Sequence, residues 1–546
     1  MYADFLDVVL PNESADNYYM HKMKGKVAEF IYLDPEWYAK LFDPNTFFIL
    51  GSKGSGKTLY AAYMCADIRK NTISRSHTID VSDYGKLIAM KEKHHLSFTD
   101  YLTMWKVILL QKFLFSLQAT DIAFWGRTKN FREIQDTISQ FFGYDVTEDS
   151  FNPITVMDSC EKQMEVTDYL CGQCSVDANV RVLNSNLSLE QQANQRDAEA
   201  CEHRVERVTV SYTDTWLRSI DAFVRTVKKI SFRHNHYLFV DGLDVRPKEI
   251  NAREYSECIA ALVRAVYEIN TKILGNMNRK DDHDFKIVAL TRTDIFLNSS
   301  LVNVTSCISD NCVELDWTYS NEKEFQYSKL YKMMNRVLGW DGESRELPVE
   351  KYFNFSLPQS ATRTLTAALS IQRRSRLRPR DVVVILRLIQ EECKRRKSRN
   401  PTAIEMNSAE VNTGYSKYYT DQIKSEMMFQ YDGEEIKDIF QMVRTIRKEV
   451  FTEKEFQTAF ESYVVQHPTF RNLFATHRDV LNVLYSLDVV GWREVFRNKM
   501  KMHWHYREVK AIDESCRMPW EEMEVAETVR IIIHRGASKH LLGSIM

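Results

Sequence analysis

The chain has 546 residues, 44% of them hydrophobic and 27% charged, with only 17 Gly and 11 Pro. This is the composition of a helix-rich globular protein of about two to four domains, and it excludes fibrous and disordered classes. A formal net charge of −2 excludes a global attraction to nucleic acid or to an anionic membrane, so either kind of binding requires a local patch.

No apolar run approaches the roughly 18 residues of a membrane-spanning helix. The start Met1-Tyr2-Ala3-Asp4 has no secretory pattern. The expectation is a cytoplasmic protein without a membrane partner, whose ten cysteines are free thiols.

Residues 1–40 mix polar and aromatic types. Thr46 to Leu50 is then a short aromatic and β-branched run ended by glycine, the pattern of a buried strand. The turn that follows, Gly51-Ser52-Lys53-Gly54-Ser55-Gly56-Lys57-Thr58, fits G-x-x-x-x-G-K-[ST] without a mismatch. Glycines at this spacing let backbone N–H groups close around phosphates, and the N-terminus of the next helix adds partial positive charge. Lys57 is expected to bridge the β and γ phosphates of ATP, and Thr58 to ligate Mg²⁺ through its hydroxyl. Lys57 to Lys70 contains no Gly or Pro and predicts that helix, with Leu59, Tyr63, Ala66 and Ile68 on one face.

His77 to Val81 predicts a second strand. A helical insertion at about 85–235 follows, including Tyr101 to Leu117 with Trp105 and Leu109, and the polar stretch Leu187 to Arg207. Cys171 and Cys174 with Cys201 and His203 could supply four zinc ligands, but the second pair is not in the usual C-x-x-C or H-x-x-x-H spacing, so a zinc site is not expected.

Tyr237 to Val240 predicts a third strand and runs into Asp241-Gly242-Leu243-Asp244. A hydrolytic phosphate loop needs a metal-side carboxylate at a neighbouring strand end and a second one that orients the attacking water. Asp241 and Asp244 are assigned those roles. Lys286 to Leu290 predicts a fourth strand, whose polar end, Thr291 and Arg292, lies where a parallel sheet presents its ligand edge and is assigned to sensing the γ-phosphate. Cys312 to Leu315 is a fifth strand candidate. Strands alternating with helices imply parallel pairing.

From Tyr319 the pattern is helical. Arg373-Arg374-Ser375-Arg376-Leu377-Arg378-Pro379-Arg380-Asp381 precedes the apolar stretch Val382 to Leu388, and a basic tail runs to Arg399. Three readings stay open for segment 373–399: Arg378 or Arg380 reaching the nucleotide from a lid, contact with a DNA or RNA backbone, or a solvated basic face. Glu434 to Glu508 reads as three helices and a strand, Lys501 to Tyr506, the order of a winged-helix-like unit.

Together, the phosphate loop, the Asp241 to Asp244 strand end and the Thr291-Arg292 strand end resemble the signal-transduction branch of AAA-type ATPases, which includes NACHT and KAP proteins. The sequence is similar to bacterial ATPases of antiphage defence loci in its Arg-Pro-Arg-Asp lid-helix start, Arg378 to Asp381, and in the stretch Tyr415 to Tyr418. The likeness runs over residues 25–546 apart from the insertion. It implies an α/β P-loop NTPase core with a parallel sheet and a large helical insertion (1–300), a helical lid (301–428) and a winged-helix-like C-terminal domain (429–546). It also implies an ATP-hydrolysing regulatory switch that engages an effector protein or nucleic acid, with homo-oligomers in its repertoire. A DNA-engaging initiator-like or remodelling ATPase is the alternative, and a nucleotide-binding scaffold without turnover is a third reading. NACHT strand ends usually run Asp-Gly-Leu-Asp-Glu; Val245 replaces that Glu here, which implies slow turnover.

Overall fold

A computed structural model describes residues 4–20, 22–79, 84, 98–141, 217–243, 246, 250–277, 281–297, 304–319, 322–360, 363–496, 499–508 and 529–543. Its centre is a parallel sheet of β1 (Phe48–Leu50), β2 (Thr72–Thr78), β3 (Asn235–Asp241), β4 (Phe285–Thr291) and β5 (Cys312–Glu314). Their spatial order is β2-β3-β4-β1-β5. β1 is fully buried and lies between β4 and β5, with Leu50 level with Thr291 and Glu314. The loop that leaves β1 is therefore held in the middle of the sheet's C-terminal edge, where an α/β sheet binds its ligand. The fold is α/β, with a P-loop core on a parallel sheet.

Two local predictions shift. The helix after the phosphate loop, α1 (Lys57–Ala66), ends four residues before Lys70. Asp67 is extended, Lys70 and Asn71 take positive φ, and Arg69 pairs with Thr72, so the chain turns tightly into β2. Ile68, expected on the helix face, is exposed. β2 accordingly occupies Thr72–Thr78 rather than His77 to Val81, in seven-residue register with β3 from Thr72 opposite Asn235 to Thr78 opposite Asp241. An edge strand covered on one face alternates in polarity, so the search for an apolar run finds only its end.

The described parts of the insertion are helical. α2 (Phe98–Ser116) buries Trp105 and Leu109 against α4 (Ala252–Glu268), and the Trp105 indole donates to the Cys258 carbonyl at 3.1 Å. α3 (Arg127–Phe141) packs on the helix at 217–229, where the Thr137 and Thr226 hydroxyls meet at 2.7 Å. The stretch Leu187 to Arg207, and Cys171, Cys174, Cys201 and His203, lie outside the described residues.

Beyond the sheet come α5 (Lys329–Val337), the hairpin β6 (Ser356–Ser360) and β7 (Arg363–Thr366), α6 (Ala367–Arg374), α7 (Pro379–Arg396) and α8 (Ala409–Met427). The chain continues as α9 (Gly433–Thr445), β8 (Val450–Phe451), α10 (Glu453–Gln466), α11 (His477–Ser486), β9 (Val490–Phe496) and β10 (Lys499–His503). The last strand expected from sequence, Lys501 to Tyr506, is thus two residues early, because a short helical turn begins at His505. β11 (Arg530–Ile533) then inserts between β9 and β8, and α12 (Arg535–Leu542) lies on α8, where the Ser416 hydroxyl donates to Ala537 and accepts from His540. One apolar cluster runs unbroken from Phe5 to Leu541 and a second fills the opposite face of the sheet. Among the described residues, no helix is long and apolar enough to cross a membrane, and the five described cysteines are free thiols.

Candidate functional site

The phosphate loop turns on glycines whose backbone only glycine adopts readily: Gly54 has φ of 84° and Gly56, at the N-cap of α1, has φ of 100°. The Lys57 ammonium lies inside the loop, donating to the carbonyls of Gly51 at 2.8 Å and Ser52 at 3.1 Å. The Ser55 hydroxyl is fully buried and has no hydrogen-bond partner among the described atoms, while the Ser55 carbonyl accepts from the Trp317 indole at 2.8 Å.

The parallel register brings the end of β3 beside α1. There the Thr58 hydroxyl donates to Asp241 Oδ2 at 2.6 Å, and Asp241 Oδ1 accepts from the Gly242 amide. A hydroxyl and a carboxylate this close are a hard-oxygen pair of the kind Mg²⁺ takes together with waters and phosphate oxygens. Asp244 lies outside the described residues. At the end of β4 the Thr291 hydroxyl is buried without a partner. Arg292 is bidentate with Asp294, at 3.0 and 2.5 Å.

A cavity of about 310 Å³ opens over the loop. Its floor is Lys53 to Tyr60 with Asp241, and its other walls are Arg380 and Val383 of α7, Met333 and Val337 of α5, and an N-terminal strap, Pro11 to Tyr18 with Ile31 and Tyr32. The strap is fixed to α7: the Gln390 amide donates to the carbonyls of Phe5 and Val8, and Arg387 pairs with Glu13. The cavity thus has a cationic, amide-rich floor and an apolar side, which suits a phosphorylated ligand carrying a flat base.

The two arginines at the start of α7 separate. Arg380 lies against the loop: its amide donates to the Gly54 carbonyl at 3.2 Å, and a Cβ on Gly54 would meet the Arg380 Cβ at 3.1 Å. Lys53 of the loop also reaches α8, donating to the Ser425 hydroxyl at 2.5 Å. Arg378 does not reach the phosphate loop. Its guanidinium is buried and donates to Glu426 at 2.6 Å, with Asp488 at 3.9 Å. Arg376, also buried, pairs with Asp381 at 3.3 Å and Glu426 at 3.6 Å and lies over the Tyr419 ring.

Burial opposes the charge of Glu426, yet Arg378 and Arg376, with Arg292 beyond them, hold its carboxyl down at about 2. Burial pushes Asp488 the other way, upward. Arg373 is bidentate with Glu322, and the buried Arg374 donates to Met406, Asn407 and Asn412. In the first half of segment 373–399, Arg373, Arg374, Arg376 and Arg378 are thus held by internal ion pairs and hydrogen bonds, while Arg380 lines the cavity. In its second half, Lys394, Arg395 and Arg396 are exposed, the two arginines paired with Glu392.

Sequence reasoning missed the strap, Trp317, Ser425 and Glu426. Only Glu426 left a readable signal: in α8 it follows Tyr415, Tyr419 and Ile423 on one helical face, a carboxylate in an apolar row. Tyr418, in the matched stretch, donates to Asp381 at 3.0 Å, and Tyr415 donates to the Arg374 carbonyl at 2.7 Å.

No protein-family model and no curated protein matches the chain. Among solved structures it is similar to the Aeropyrum pernix ORC2 protein. Against the ADPNP-ADP complexes the identity is 10%, over 54% of this chain and 66% of that one, with a TM-score of 0.28. Against the ADP form the identity is 9%, over 94% of each chain, with a TM-score of 0.30. The chain spans just under two thirds of the first of these.

Proposed function

We propose that the protein is a Mg²⁺-dependent ATP-binding and ATP-hydrolysing switch whose lid passes nucleotide state to its C-terminal unit. The observation that carries this is the start of α7. Arg380 rests on the phosphate loop there, while Arg376 and Arg378, four and two residues earlier, belong to the ion-pair cluster that reaches Asp488 beside β9. A small displacement of α7 on nucleotide binding would therefore be felt at both ends, because a packed ion-pair cluster has few alternative arrangements.

In this reading the loop amides and Lys57 hold the β and γ phosphates, and Arg380 and Thr291 respond to the γ-phosphate. Thr58 and Asp241 hold the metal, which neutralises charge on the phosphate oxygens. Asp244 orients the attacking water, with Arg292 assisting from β4. The strap and lid side chains exclude water from the base. The three units are the core with its insertion (1–300), the lid (301–428) and a winged-helix-like domain (429–546), the last supported by the helix-strand-helix-helix-hairpin order of α9 to β10. A setting in bacterial antiphage defence rests on the resemblance of the motifs, and an effector protein or a second copy of the chain is the partner in that setting.

Titration calorimetry with ATP and Mg²⁺ tests the reading. Lys57→Ala removes the cation that meets two phosphates and is expected to lower affinity at least 100-fold, on the order of 3 kcal/mol; unchanged affinity rejects it. Asp244→Asn is expected to keep binding while turnover falls about 100-fold or more, and wild-type turnover would move the base to another carboxylate.

A further inference from the structure

Outside the lining of the cavity over the phosphate loop, the loop between Asp121 and α3 holds two large aromatic side chains out in solvent. Phe124 is 75% exposed and Trp125 87%, with ring centroids 5.7 Å apart and planes at 84°. A stray exposed aromatic is ordinary, but an adjacent pair on a well-anchored base is not. The buried Asp121 carboxylate accepts from Arg75 at 2.8 Å and from the Gln118 amide at 2.7 Å. Ile122 bridges to Phe232, the Ala123 amide donates to Ser231 and the Arg233 amide to Asp121. The tip is thus held outward by its own backbone.

Exposed cations gather around it, beside an Asp281 carboxylate that accepts from the Phe232 amide at 2.6 Å. α3 opens on Arg127 and Lys129 with no acidic residue in its first turn, an arrangement the helix dipole disfavours unless an anion offsets it. Arg127 donates to the Ile122 carbonyl and faces the Phe124 ring at 5.9 Å. Lys129 and Arg132, three apart and so on one side of the helix, are exposed, as are Lys228 and Arg233 on the neighbouring segment. Glu133, the nearest carboxylate along α3, is taken by Lys229 at 3.4 Å.

We propose that this tip is a binding site for single-stranded nucleic acid, with bases stacking on Trp125 and Phe124 and phosphates meeting Arg127, Lys129, Arg132 and Arg233. Exposed π-faces flanked by cations are what a flexible polyanion with flat bases requires, and stacking tolerates any sequence. Two side chains offer too little apolar surface to hold a bilayer, which calls for a continuous apolar face. The site is independent of the proposed nucleotide reading, because none of its residues lines the nucleotide cavity.

The test is fluorescence anisotropy of the full chain with a labelled oligothymidylate of about 12 nucleotides, a length that spans a tip of this size. The wild type is expected to bind with quenching of tryptophan emission. Trp125→Ala should weaken binding about tenfold, the loss of one stacked base, while its melting temperature and ATP turnover stay unchanged. Replacing Lys129 and Arg132 by Gln should lower the salt dependence by about 0.7 per cation removed. No binding by the wild type, equal binding by Trp125→Ala, or tryptophan quenching by phosphatidylserine vesicles but not by the oligonucleotide would each overturn the proposal.

Discussion

The phosphate loop and the arginine-rich segment that leads into α7 are both short, charged and glycine- or proline-marked, yet they are built on opposite principles. The loop's conformation follows from its own residues: positive φ at Gly54 and Gly56, a lysine folded onto carbonyls five and six residues back, and a helix beginning at Lys57. The arginine segment's conformation follows from residues far along the chain. Arg378 is the N-cap of α7 in extended geometry and faces Glu426, 48 positions away, whereas Arg380 is already helical and faces Gly54. A motif that satisfies itself keeps its function in any context, while a cluster of like charges is assigned its role by whichever carboxylates the fold delivers.

The largest effect that would break this contrast is on stability. Arg378→Ala leaves Glu426 buried with a weakened counter-charge and is expected to cost about 3–5 kcal/mol, read as a fall in the denaturant midpoint. Wild-type stability would show that the cluster does not hold α7, α8 and the turn before β9 together.

Acid should act on the same cluster. Glu426 is held at about 2, below the ordinary carboxylate value of 4.5, so its contribution is fully present above pH 4.5 and is lost as pH falls from there towards 2. Glu426→Gln should flatten the stability profile in that window, and an unchanged profile would place the acid sensitivity elsewhere.

Arg380→Ala is expected to leave stability within about 0.5 kcal/mol while lowering ATP turnover or ATP-over-ADP preference about tenfold, the scale of one charge-assisted contact. Kinetics and thermal melts on the two arginine variants together sharpen the comparison: loss of fold in one and of turnover in the other is the expected split. The smallest effect is at Ser425→Ala, which removes the hydroxyl that accepts from Lys53. One hydrogen bond to a charged group at a partly open site should change ATP affinity by about 1 kcal/mol, and calorimetry decides it.

Sequence by itself determined the phosphate loop, the strands β1, β3, β4 and β5, and the acidic end of β3. These are buried parallel strands, which read as continuous apolar runs, and a turn whose glycine spacing is set by backbone sterics. Asp241 and Thr58 were legible as partners because the loop motif demands a carboxylate at a neighbouring strand end, and their separation is 2.6 Å. Only tertiary structure decided the rest. The one-sided edge strand β2 carries no apolar run, and the strap's role over the cavity comes from its ties to α7. Of two arginines two residues apart, the one facing the phosphate loop is chosen by the N-cap, where the backbone changes from extended to helical and redirects successive side chains. A cation's partner is fixed by what is packed against it, and packing across tens of residues leaves no mark in a local stretch of sequence.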